Sequence, residues 1–64
     1  MDNEEINKKV KQVDGLGGMT VNERLYESGL MEIYDNVMKN DKELAKSILQ
    51  AVKVDNPSIT EILK

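Results

Sequence analysis

The side chains whose types and spacing could do chemistry are acidic. Glu23 and Glu27 stand four residues apart, and Glu32 and Asp35 three apart, so each pair falls on one face of a helix. Oxygen-only ligands of this kind can hold calcium or magnesium. No Asp-x-Asn/Asp-x-Asn/Asp-Gly loop accompanies them, and Glu27 and Glu32 are five apart, so even one continuous helix would not align the pairs. They read as a solvated face or as a face that docks a basic partner, and no metal or cofactor is expected. Histidine and cysteine are both absent. That removes the usual nucleophile–base constellations, thiolate metal sites and disulfides. Lysine and carboxylate bases remain, but 64 residues leave little room for a concave pocket of roughly 300 Å³ or more. The sequence points away from an enzyme.

Two further groups of residues bear on binding. Lys8, Lys9 and Lys11 come nearest to a basic patch, but Glu4, Glu5 and Asp14 balance them and the net charge is −3. Residues 21–39 invite a helix-turn-helix reading through Gly29. The second helix, however, carries Glu32 and Asp35 and no arginine, so phosphates would repel it. Tyr26 and Tyr34 lie on or beside apolar faces. Each either packs its ring and turns its hydroxyl to water or a backbone group, or serves an interface. Met19, Met31 and Met38 carry the same ambiguity, and Met31, to one side of the main stripe, is the best candidate for an exposed apolar contact.

The elements that must position these residues are helices. Strand templates fit poorly, because runs of β-branched residues are missing and the two tyrosines are the sole aromatics. Ile6, Val10 and Val13 give a narrow helical stripe over 2–14, with Asp2 as a cap and Glu4 and Glu5 in the first turn. This helix is expected to be loosely attached. Gly15-Leu16-Gly17-Gly18 then marks a turn or linker. Two readings stand for it: residues 1–18 are an upstream extension before a start at Met19, or Gly15 to Gly18 form an ordinary inter-helix loop. The expected division is 1–18, helix and linker, and 19–64, helical domain.

Thr20-Val21-Asn22-Glu23 matches a capping box and opens a helix over 21–28, with Gly29 as the residue that stops it. A continuous helix through Gly29 is the alternative. Leu30, Ile33, Tyr34, Val37 and Met38 form the face of a helix over 30–39. Asn40 reads as the next cap, with Glu43 at its third position, and Leu44, Ala45, Ile48, Leu49, Ala51 and Val52 follow over 41–53. A last short helix reaches about residue 63, started by Asn56 with Pro57 or by Ser58 with Glu61. The expected fold is all-α: a small orthogonal or antiparallel array of three main helices, a short C-terminal helix and a loosely packed N-terminal one. Its core is expected at Leu25, Leu30, Ile33, Tyr34, Val37, Leu44, Ile48, Leu49, Val52, Ile59 and Ile62.

Val21-Asn22-Glu23-Arg24-Leu25-Tyr26, then Gly29-Leu30, Tyr34-Asp35 and Ile48-Leu49, resemble a group of short bacterial helical proteins. These share a Val-Asn-Glu-Arg-Leu-aromatic, Gly-Leu, aromatic-Asp pattern. The resemblance spans about 20–52. It implies a bacterial origin and a helical domain starting near Met19, and it brings no activity. Arg24 is expected to pair with Glu27 three residues on.

Burial in a chain of this size contributes on the order of 90 kcal/mol, and ordering it costs on the order of 95 kcal/mol. The balance favours help from a partner or a second copy. Three functional readings follow. The first is a non-catalytic protein-interaction module that docks one helical face, at Tyr26, Met31, Glu32 and Asp35, on a protein partner or on itself. A specialised form is an immunity- or antitoxin-type inhibitor covering a basic site with Glu32 and Asp35. The last is a nucleic-acid-associated regulator using Lys8, Lys9 and Lys11, which the charge balance disfavours. No apolar run suits a membrane span, the acidic N-terminus lacks a signal core, and no small-molecule ligand is indicated. The expected compartment is the cytoplasm.

Overall fold

Local chemistry sets where each helix starts and stops. The computed structural model describes residues 3–64, so the Asp2 cap lies outside the described residues. Five α-helices follow in order: α1 (Asn3–Lys11), α2 (Val21–Glu27), α3 (Met31–Asn40), α4 (Lys42–Ala51) and α5 (Asn56–Ile62). A single 3-10 turn, Leu16–Gly18, lies between α1 and α2. Among the described residues there are no strands, so the described structure is all-helical.

α1 ends earlier than the expected 14, because Gln12 and Val13 donate to carbonyls three residues back rather than four. Gly15 then takes φ 77° to enter the 3-10 turn. α2 opens on the expected capping box. The Thr20 hydroxyl accepts from the Glu23 amide at 3.2 Å, and the Glu23 carboxylate accepts from the Thr20 amide at 3.1 Å. It stops at Gly29 (φ 75°), which settles the break over the continuous helix. The Leu30 amide donates to the Leu25 carbonyl at 2.9 Å and the Gly29 amide to Tyr26 at 3.1 Å, the two bonds of a Schellman motif. Leu25 and Leu30, its apolar pair, are both fully buried. Leu30 therefore also occupies the cap position of α3, which has no side-chain cap.

Two expected caps move. Asn40 is the last residue of α3, and its side-chain Nδ2 donates back to the Asn36 carbonyl. Asp41 caps α4 instead, accepting from the Leu44 amide at 3.2 Å. Neither Asn56 nor Ser58 caps α5. Asp55 does, because its carboxylate reaches both the Ser58 amide (3.2 Å) and the Ser58 hydroxyl (2.8 Å). α4 ends in a second Schellman motif, with Lys53→Gln50 and Val54→Leu49 bonds of 3.0 Å each. Here the left-handed position holds Lys53 at φ 68°, the sole described residue other than glycine with positive φ.

The core forms where these helices meet. α3 and α4 pack most extensively, and α4 also contacts α1 and α5. Of the expected core, Leu25, Leu30, Tyr34, Ile48, Leu49, Val52 and Ile59 are buried, while Ile33, Val37, Leu44 and Ile62 lie half-buried around them. Ala45 and Val54 join the core. So do Ile6, 1% exposed, and Val10, which corrects the expectation of a loosely attached first helix. The stripe is narrow, but both of its central residues are buried, and α1 packs on α4.

Candidate functional site

The four residues expected to meet a partner fall on two helices. Tyr26, on α2, is 74% exposed, the largest apolar side chain that the described residues leave in solvent. It occupies the outer side of a helix whose Leu25 is buried. Met31 opens α3 and is half-buried, while Glu32 and Asp35 are exposed one turn apart on the same helix. No hydrogen bond or ion pair among the described residues joins these four side chains. Met31 packs against the core, which corrects the expectation that it would be an exposed apolar contact.

The two tyrosines part company. Tyr34 is buried, 6% exposed, and its hydroxyl finds no hydrogen-bond partner among the described residues. Of the two readings open for each tyrosine, Tyr34 packs its ring into the core, with its hydroxyl reaching neither the surface nor a backbone group among the described residues. Burial pushes its phenol above the ordinary value, and the neighbouring Asp35 carboxylate adds to this. Tyr34 also lines an open groove of about 460 Å³ between α2, α3 and α5, together with Val21, Leu25, Met38 and Ile62, which corrects the expectation that so short a chain leaves little room for a concavity of this size.

Arg24 has a role that sequence reasoning missed. Its Nε donates to the Met19 carbonyl at 3.1 Å, and its Nη1 to the carbonyls of Val52 and Lys53 at 3.2 Å each. The guanidinium thus ties the end of the glycine linker to the C-terminal carbonyls of α4, where a cation is favoured. The expected Arg24–Glu27 pair does not form. Carbonyls 28 and 29 residues away leave no signal in local spacing. Arg24 also lowers the Asp55 carboxyl, although the hydroxyl and amide of Ser58 do more to hold it below its ordinary value. Glu23 is likewise held low by the Thr20 amide and hydroxyl.

The quoted run at 21–26 now has a physical content. Glu23 caps, Arg24 clamps, and Leu25, Leu30, Tyr34, Ile48 and Leu49 fill the core. Asn22, Tyr26 and Asp35 are exposed. On α1, Lys8 and Lys11 are exposed but share their surface with Glu4 and Asn7, so that face is mixed in charge. Among the described residues no group of three or more acidic side chains could hold a metal ion, and no helix is long and apolar enough to cross a membrane. No protein-family model matches the chain, and no curated protein or solved structure matches it either.

Proposed function

We propose that the chain is a non-catalytic protein-interaction module whose contact surface centres on Tyr26. One observation carries the reading. Tyr26 exposes 74% of its surface on a helix whose other prominent residues are committed to capping, clamping and the core. An exposed tyrosine supplies a large, stiff contact area with a polar tip, the kind of group enriched at binding hot spots. Exposed Glu27, Glu32 and Asp35 on α2 and α3 favour a partner of basic character, and half-buried Met31 supplies an adaptable edge. An immunity- or antitoxin-type inhibitor is the special case in which the basic surface belongs to a toxin. The lysines of α1 give a nucleic-acid reading less support, because Glu4 lies among them.

The test compares wild type with Tyr26→Ser as immobilised baits in bacterial extract, beside light scattering of both proteins at several concentrations. The proposal expects one species, or a second copy, to be held by wild type. Its retention should fall at least about tenfold on Tyr26→Ser, matching a hot-spot loss of about 1.4 kcal/mol or more. A protein monomeric at every concentration, with identical captures by both baits, rejects it.

A further inference from the structure

Asp14-Gly15 is the sole Asp-Gly or Asn-Gly step in the chain. At such a step the glycine amide nitrogen can approach the aspartate side-chain carbonyl, because no Cβ stands in the way. The approach also needs a backbone that is free to turn and an amide that is not already committed to a helix. The Gly15 carbonyl accepts from the Gly18 amide at 3.0 Å, but the Asp14 backbone makes no hydrogen bond among the described residues. Asp14 and Gly15 are exposed in the irregular stretch after α1. The Gly15 amide donates to no acceptor among the described residues. Nothing lies within 4 Å of the place where a Gly15 Cβ would stand.

The other described aspartates are held. The Asp41 and Asp55 carboxylates are fixed as caps on the amides of Leu44 and Ser58. Asp35 sits inside α3 before Asn36, where the helical backbone keeps the following amide turned into the ladder.

We propose that Asp14 is a site of spontaneous isoaspartate formation in the folded protein. The Gly15 nitrogen gives up its proton and bonds to Asp14 Cγ, and a carboxyl oxygen leaves as water, closing a succinimide. Water then adds back. Attack at Cγ breaks the new bond and restores aspartate. Attack at the main-chain carbonyl breaks the original peptide C–N bond, so the chain runs on through Cβ and Cγ and the α-carboxylate becomes the side group. One water leaves, one enters, and nothing is oxidised or reduced. The product lengthens the linker by one methylene. It offers a substrate for a carboxyl methyltransferase that recognises isoaspartyl groups.

The test ages the full chain at neutral pH and physiological temperature. Isoaspartate is read by peptide mapping with electron-transfer fragmentation, and independently by methyl incorporation with a purified isoaspartyl methyltransferase. A synthetic peptide of residues 8–20 sets the unrestrained rate. Isoaspartate should build up at Asp14 within a few-fold of the peptide rate. Asp14→Glu, which would need a less favourable six-membered ring, should lose the signal. An Asp14 that stays intact in the folded chain overturns the proposal. So does modification of Asp35, Asp41 or Asp55 as fast as Asp14.

Discussion

Replacing Arg24 by methionine keeps the apolar stem and removes the donors that reach the carbonyls of Met19, Val52 and Lys53. Bonds from a charged donor are worth roughly 1.5–3 kcal/mol each when truncated. Two of the three are part-buried and one is exposed, and the two carbonyls at the end of α4 share one nitrogen. Water also re-solvates part of what is freed. The expected net loss is about 2–3 kcal/mol. In a domain of this size that lowers Tm by about 10–20 °C. An ordinary surface pair with Glu27 would be worth only about 0.2–0.5 kcal/mol, so the two accounts separate cleanly. Urea and thermal unfolding followed by far-UV circular dichroism is the assay. Arg24→Lys should recover less than half of the loss, since one compact ammonium cannot span three carbonyls as a planar fork does. Glu27→Gln should change stability by no more than about 0.5 kcal/mol. A loss below about 0.5 kcal/mol for Arg24→Met, or an equal loss for Glu27→Gln, would refute the clamp.

Four more expectations follow from the same contacts. Ile6→Ala should cost about 2–4 kcal/mol in a single cooperative unfolding transition, whereas a loss under about 1 kcal/mol would mean that α1 adds little to the shared core. Lys53→Gly should raise stability by about 0.5–1 kcal/mol, because relief of the left-handed strain exceeds the entropy of the added glycine; an unchanged or lowered urea midpoint would count against that balance. Tyr34→Phe should be neutral or stabilising by about 1 kcal/mol, since it removes a buried hydroxyl without a partner, and a clear loss would reveal a bond that the hydroxyl makes. Glu23 and Asp55 are held below their ordinary values when folded, so the unfolded chain binds protons first as pH falls. Their stabilisation should be present above the ordinary carboxylate range of about 4 and fade as pH drops below it; Asp55→Asn should flatten that acid limb in unfolding curves, and an unaltered slope would contradict the assignment.

What the sequence showed depended on how far apart the interacting groups lie. The capping box at Thr20 and Glu23, the stop at Gly29 and the buried faces of α3 and α4 are local, and each was legible from residues three or four apart. Caps at Asp41 and Asp55 were displaced by one residue, because Asn40 and Asn56 are also good caps and spacing alone does not separate them. The Schellman turn at Lys53 carried no signal, since lysine has no preference for positive φ. α1 looked weakly anchored because its stripe is thin; that Ile6 fits against α4 depends on tertiary packing. Arg24 was legible as a charge, but not as a clamp. Of the four residues proposed for contact, Tyr26, Glu32 and Asp35 are exposed and Met31 is half-buried.

A photo-crosslinking benzophenone side chain installed at position 26 tests the Tyr26 surface most directly, with the same group at exposed Lys46 on α4 as the control. Irradiation in bacterial cells should give one discrete crosslinked species from position 26 and none from position 46. Equal yields at both positions, or none at position 26 in a protein that is folded and abundant, would contradict the account.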